Sequence, residues 1–339
     1  MTVRVGVIGV GMIGQDHIRR ITEVLSGGTV VAVTDVNAGR AAEVAGGLPG
    51  VSVHPGAADL IAARDVDAVL VASWGPAHED QVLAAIDAGK PVFCEKPLAP
   101  TVAACQRIVD AETAAGRRLV QVGFMRRYDA GYRALKAALD DGSIGAPLMM
   151  HCAHRNPSVP PYGFTTEMII SDSAVHEIDI VRWLFDEEIV AASILKPRRT
   201  SQAAEGVQDP LIVLLETAGG VLVDDELFVN AGYGYDIRGE IVGESGTVAL
   251  AGAPEVTLTA AGRRSGRVPV DWRERFIRAY DTELQDWLKA VAKGTSTGPT
   301  SWDGYAAAAV TDSCLRALGS GQRTTVRMPD RPDFYAKAE

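Results

Sequence analysis

Six residues near the start of the chain, Gly9-Val10-Gly11-Met12-Ile13-Gly14, restrict its folding more than any other segment. An apolar run, Val3–Ile8, leads straight into them, and a helix-prone stretch, Met12–Leu25, follows. G-x-G-x-x-G between a strand and a helix forms the phosphate-binding turn of a doubly wound sheet. Gly9 permits the tight turn, Gly11 lets the backbone approach a pyrophosphate, and Gly14 lets helix and strand pack closely. The helix start, at Met12 and Ile13, offers unpaired N–H groups and the positive end of a dipole to phosphates. Asp35 stands 21 residues past Gly14, closing the next β-rich run, Thr29–Thr34. A carboxylate there accepts hydrogen bonds from an adenosine ribose. Val36 and Asn37 follow it with no cation to neutralise a 2′-phosphate, which favours NAD over NADP as the cofactor.

The alternation continues. Ala68–Ala72, Pro91–Cys94 and Leu119–Val122 read as further strands, separated by Ala-rich helical stretches at Gly39–Ala45, Ala57–Ala63, Ala77–Ala88 and Thr101–Ala115. Strands joined by crossover helices must run parallel, so the first part of the chain is expected to be a doubly wound α/β sheet of the Rossmann type. After Tyr128 the texture changes. A helix, Ala130–Leu139, precedes an alternating strand, Leu148–His154, and another helix, Asp172–Leu184. Strand-like segments then dominate: Val190–Leu195, Leu211–Glu216, Val221–Asn230, Ile237–Val242 and Thr247–Leu250. Helices at Trp272–Lys293 and Asp303–Gly319 close the chain. The expected division is a nucleotide-binding domain over residues 1–122 and a substrate-binding and oligomerisation domain over 123–339. The second is expected to be α+β on a mostly antiparallel sheet, with a C-terminal helix able to pack back on the first.

Composition removes several function classes. The formal net charge is −10, from 33 Lys and Arg against 43 Asp and Glu. A nucleic-acid binder needs a basic face, and here the cations are scattered, so nucleic acid is not an expected partner. The four cysteines, Cys94, Cys105, Cys152 and Cys314, form no C-x-x-C pair, which speaks against structural zinc. No H-E-x-x-H or similar ligand cluster occurs, so no metal is expected. No stretch of about 18 apolar residues occurs either, so no membrane span is expected. The N-terminal apolar run enters the glycine motif and reads as a first strand, which makes the cytoplasm the expected location.

Two further groups carry candidate chemistry. Lys96 follows the strand Pro91–Cys94 and precedes Pro97; residues just past strand C-termini face the ligand crevice of such a sheet. There an ammonium stabilises a developing alkoxide, or else simply pairs in solvent with Glu95. Asp172 and His176 are four apart in a helix-prone segment, so both project from one face. A carboxylate-paired imidazole accepts the proton of an alcohol being oxidised. The bland alternatives are a surface pair and, for the Ser171-Asp172-Ser173 cluster, a helix N-cap. His17, three residues past Gly14, is read as a helix-packing residue, and Tyr162 and Phe164 lie in a Pro-rich loop that is either a lid or an oligomer contact.

Together these residues resemble the glucose–fructose oxidoreductase/inositol dehydrogenase (Gfo/Idh/MocA) family over essentially the whole chain. The resemblance rests on the glycine motif, Glu95-Lys96-Pro97, and Asp172-x-x-x-His176 followed by Glu177-Ile178-Asp179. Four more segments narrow it toward members that oxidise inositol: Gly123–Asp129, His151–Pro157, Tyr233–Ile237 and Trp302–Tyr305. The resemblance implies an NAD-dependent enzyme that oxidises myo-inositol to its 2-keto derivative. The alternatives are scyllo-inositol, D-glucose or a related pyranose or cyclitol as substrate, or a non-catalytic NAD-binding regulator. It implies a catalytic set of Lys96, Asp172 and His176. His176 takes the hydroxyl proton, Asp172 orients and charge-compensates it, and Lys96 polarises the oxygen. It further implies polyol contacts from Arg126, His154, Asn156 and Tyr235, with Met125 shaping an apolar side. Ser73, Trp74, His78 and Glu95 join Gly9, Gly11, Met12, Ile13, Gly14, Asp35 and Lys96 at the cofactor. A cis peptide before Pro97, an open-faced second sheet and a homotetramer complete the expectation.

Overall fold

The computed structural model describes residues 2–159, 163–252 and 257–336. They divide into two compact units, Met1–Phe124 with Tyr280–Ala308 and Pro329–Glu339, and Met125–Ala279 with Ala309–Met328. Each is described by itself.

The first unit alternates β1 (Val3–Ile8), α1 (Met12–Arg19), β2 (Gly28–Thr34), α2 (Ala38–Gly46), β3 (Ser52–Val53), α3 (Ala57–Ala62), β4 (Ala68–Val71), α4 (His78–Asp87), β5 (Val92–Glu95), α5 (Val102–Ala114) and β6 (Val120–Gly123). All six strands are parallel, in the order β3-β2-β1-β4-β5-β6. The central strands are apolar on both faces because both faces are covered: Val3, Val5, Val7, Val69, Leu70 and Phe93 are fully buried. The order reverses between β1 and β4, which places the glycine turn after β1 at the topological switch point.

The core of this unit also takes in Leu284, Trp287 and Leu288 from late in the chain, packed with Val3, Val5, Val30 and Phe93. Gly28 makes room for them, since a Cβ there would lie 2.8 Å from Leu288. A buried carboxylate, Glu112, ties the unit's C-terminal residues down. It accepts from Leu119 N (2.5 Å), Val120 N (2.7 Å), the Tyr335 hydroxyl (2.8 Å) and the Ser301 hydroxyl.

The second unit holds α6 (Ala130–Asp140), β7 (Pro147–Arg155), α7 (Thr166–Met168), α8 (Val175–Phe185), β8 (Ile189–Leu195), β9 (Leu211–Thr217), β10 (Leu222–Phe228), β11 (Asp236–Gly243), β12 (Thr247–Ala249) and the hairpin β13 (Thr257–Ala260) and β14 (Arg263–Gly266). The helices α9 (Trp272–Ala292) and α10 (Ser301–Ser320) and the short β15 (Thr324–Thr325) follow. The unit boundaries fall within α9 and within α10. Its seven-stranded sheet runs β12-β11-β7-β10-β9-β8-β15. Every pairing is antiparallel except β7 with β10. Alternation along β7 buries Met150, Cys152 and His154 while Met149 and His151 are exposed, so one face of the strand is covered and the other largely open.

The segment around Asp172 differs from the continuous α-helix expected there. Ile169–Ala174 forms a π-helical turn between α7 and α8. Asp172 is not an N-cap: the cap of α7 is Thr165, whose side chain accepts from Met168 N, and α8 begins from Ala174 without a side-chain cap. The wider turn replaces the regular i,i+4 geometry that the spacing suggested. Tyr162, Pro160 and Pro161 of the Pro-rich loop lie outside the described residues. All four cysteines are buried and free. Among the described residues no helix is long and apolar enough to cross a membrane.

Candidate functional site

In the first unit the glycine turn has the stereochemistry that its residues require. Gly9 adopts φ +90°, and a Cβ there would fall 2.5 Å from Ser73 N. A Cβ on Gly14 would collide with the Gly9 carbonyl oxygen, whereas nothing lies within 4 Å of the Cβ direction of Gly11. Two of the glycines therefore serve close packing and the middle one borders open space. Asp35 is oriented toward the turn. Its Oδ2 accepts from Val10 N and its Oδ1 from Asn37 N, both at 2.8 Å. Open backbone at Gly11, the start of α1 with Met12 exposed and a carboxylate fixed beside them fit a bound dinucleotide.

The strand ends of this unit carry the other cofactor candidates. Ser73 follows β4, its hydroxyl donating to Gln81 (2.7 Å), and Trp74 beside it is exposed. His78 opens α4. It is buried, with Nδ1 2.7 Å from Pro97 O and Nε2 3.0 Å from Ser73 O, so both ring nitrogens face protein carbonyls. It clamps the loop after β4 to the loop after β5. Glu95 ends β5 and is also buried; its Oε1 meets His17 Nε2 at 2.6 Å, and its Oε2 accepts from Lys96 N at 3.2 Å. Lys96 itself is half-buried, and its bond to Pro97 is cis.

In the second unit, a 3-10 turn at Met125–Tyr128 brings Met125 and Arg126 into the interior. The buried guanidinium of Arg126 forms an ion pair with Glu177, which lies in the first turn of α8 beside His176. His154, on β7, completes the group: Nδ1 lies 3.1 Å from Glu177 Oε2 and 3.2 Å from Arg126 NH2. Its ring stands edge-on to Tyr235 at 5.8 Å between centroids and 6.3 Å from the ring of His176. Arg126, His154, His176 and Tyr235 are thus one cluster, while Asp172 is exposed and Asn156 half-buried. Arg126 faces Glu177 and the rings of Tyr132 and Phe276, so it is engaged inside the protein.

Electrostatics follow from burial. Burial pushes the Glu177 carboxyl up, but the Arg126 guanidinium and His154 outweigh it and hold it below the usual range. Burial pushes the Tyr235 hydroxyl up to about 12. Sequence reasoning missed Glu177 as a partner of Arg126 and His154. Its signal was a carboxylate immediately after His176, set among the apolar residues Val175, Ile178, Ile180 and Val181.

The parallel sheet, its glycine turn and the oriented Asp35 define a dinucleotide-binding protein of the NAD type. Residues 3–124 match the model of the oxidoreductase family with NAD-binding Rossmann fold, and residues 136–328 that of the same family's C-terminal alpha/beta domain. The chain belongs to this Gfo/Idh/MocA family of NAD-dependent enzymes. It is 58% identical to inositol 2-dehydrogenase 3 of Saccharopolyspora erythraea over 335 residues, covering 99% of this chain and 98% of that one. It is 55% identical to inositol 2-dehydrogenase of Azotobacter vinelandii over the full length of both. Among solved structures, the myo-inositol dehydrogenase of Lactobacillus casei in complex with NAD(H) and myo-inositol matches with a TM-score of 0.97 and 40% identity. That match covers 99% of this chain and 100% of the other. Among the described residues, no group of three or more His, Cys, Asp or Glu could hold a metal ion.

Proposed function

We propose that this protein oxidises myo-inositol at one ring carbon to 2-keto-myo-inositol, with NAD as the oxidant. The observation that carries the reading is the buried His154, Arg126, Glu177 and Tyr235 cluster beside His176. A cyclic polyol offers only hydroxyls, and choosing one carbon among them needs several rigid donors and acceptors on one wall. The names of relatives 55–58% identical over nearly full length support an inositol as substrate, and the myo-inositol complex of the 40% identical Lactobacillus casei enzyme supports that isomer.

In this reading His176 accepts the hydroxyl proton and Asp172 orients and charge-compensates it. Lys96 donates a hydrogen bond to the reacting oxygen and stabilises negative charge as it develops. NAD, when bound, supplies the hydride acceptor. Gly9, Gly11, Gly14 and Asp35 position it, and Tyr235, His154 and Asn156 hold the remaining hydroxyls. The first unit is assigned to the cofactor and the second to substrate and assembly, so that residues 280–308 and 329–339 of the expected 123–339 domain go with the cofactor unit; the protein is assigned as a homotetramer and its location as the cytoplasm.

Mixing purified protein with NAD and a panel of myo-inositol, scyllo-inositol and D-glucose, and following the absorbance of reduced cofactor, tests the reading. Turnover with the highest kcat/KM on myo-inositol is expected. A preference for scyllo-inositol or glucose overturns the substrate, and NAD binding without turnover of any of them overturns catalysis.

A further inference from the structure

We infer that Glu177 is a positioning residue: it holds His154 in the tautomer protonated at Nδ1, so that Nε2 is a hydrogen-bond acceptor for a polyol hydroxyl. The inference rests on the reading that His154 contacts the substrate.

The geometry poses a choice. His154 Nδ1 has an acceptor, Glu177 Oε2, at 3.1 Å and a donor, Arg126 NH2, at 3.2 Å. One nitrogen cannot give a proton to the first and accept one from the second in the same neutral tautomer. If Nδ1 is bare, Oε2 of a carboxylate faces a lone pair in a site where all three side chains are at most 4% exposed. Leaving an oxygen of a buried anion without a donor is the costlier arrangement. If Nδ1 carries the proton, both Glu177 oxygens receive a charge-assisted bond, Oε1 from Arg126 NH1 and Oε2 from His154. Arg126 gives up only a 3.2 Å contact, and its NH1 keeps Glu177 and the Tyr132 hydroxyl (3.4 Å). The protonated Nδ1 therefore wins, and burial together with the Arg126 charge 3.2 Å away disfavours a second proton on the ring, leaving Nε2 with its lone pair.

This assigns Arg126 a different part from the direct polyol contact expected of it. Its charge keeps Glu177 ionised in the interior, and an ionised Glu177 is what selects the tautomer. The two neighbouring imidazoles then divide the work: His176 takes the proton of the reacting hydroxyl, and His154 reads another hydroxyl through a lone pair without changing its own protonation. Such an acceptor discriminates against an analogue that lacks the hydroxyl it reads.

The test has two readouts. Long-range 1H–15N correlation spectra of the ligand-free, 15N-histidine-labelled protein report each imidazole's tautomer. His154, assigned by the loss of its signals in His154→Gln, is expected as Nδ1–H. An Nε2–H tautomer, or a ring protonated at both nitrogens, in the wild type overturns the inference, whatever the turnover of any polyol. In steady-state assays Glu177→Gln is expected to raise KM for myo-inositol about tenfold or more with KM for NAD unchanged. It is also expected to erase most of the wild type's preference over the deoxy-inositol that lacks the contacted hydroxyl. Wild-type KM and preference in a folded Glu177→Gln protein overturn the positioning role. A wild type inactive on every polyol instead overturns the reaction, and the spectra still decide the tautomer.

Discussion

His17 Nε2 meets Glu95 Oε1 at 2.6 Å, joining the helix that opens on the glycine turn to the strand end that precedes Lys96. The His17 ring is fully buried and packs edge-on to Phe93 at 5.8 Å. His17→Leu deletes the donor and leaves a buried carboxylate oxygen with one partner fewer, at a cost of about 1–3 kcal/mol. His17→Gln, which places an N–H near the same spot, is expected to recover most of it. Urea denaturation of the three proteins checks this, and a Leu variant as stable as the wild type would contradict it.

Asp35 holds the glycine turn and the start of α2 through Val10 N and Asn37 N. Asp35→Ala removes that orientation together with the ribose acceptor, so NAD affinity is expected to fall by roughly tenfold or more. Calorimetric titration with NAD measures it. An unchanged Kd would mean that another residue holds the ribose.

Asp225 gives a pH dependence with a defined sign. Its carboxyl is fully buried on β10, in register with Cys152 on β7; burial first and the nearby Glu177 second push it well above the ordinary 3.8. The folded state therefore keeps a proton that the unfolded chain loses. The contribution of this group is intact below 3.8, and stability falls as pH rises toward the folded pKa, by about 1.4 kcal/mol per pH unit. Asp225→Asn is expected to flatten that slope and to raise stability at pH 8 more than at pH 5. Melting curves across this range check it; an unaltered slope in the variant refutes it.

Glu177 has the opposite sign. Its folded pKa lies below the ordinary 4.5, so its contribution is present above that value and is lost as pH falls through the folded pKa. Arg126→Met strips the compensating charge from a buried carboxylate and is expected to cost about 3–5 kcal/mol at pH 7. Denaturant titration measures the loss. A cost below about 1 kcal/mol would mean that the pair contributes little.

Much of the architecture was legible because it rests on local patterns. The strand β1 and the helices α2 to α5 are read from apolar runs and Ala-rich stretches within a few residues of their observed ends, whereas the expected Met12–Leu25 helix is α-helical only to Arg19 and continues as a π-helical turn, Arg20–Val24. The two-residue β3 was missed, having no apolar run to mark it. The π-helical turn at Ile169–Ala174 was also missed, since a single wider turn of six residues is too short to leave a period in the sequence. Within the site, Gly9, Gly14 and Asp35 were legible from spacing because backbone geometry dictates them. The pairings of Arg126 with Glu177 and of His17 with Glu95, 51 and 78 residues apart, were not. They depend on which helix face meets which strand end, a property of tertiary packing that no local pattern encodes. The recruitment of Leu284, Trp287 and Leu288 into the first core is of the same kind.

The proposed chemistry is tested most directly at His176. Single-turnover formation of reduced cofactor from saturating myo-inositol should slow by about two to four orders of magnitude in His176→Ala, with NAD affinity preserved. A variant that reduces NAD at close to the wild-type rate would remove the imidazole from the reaction and contradict the account.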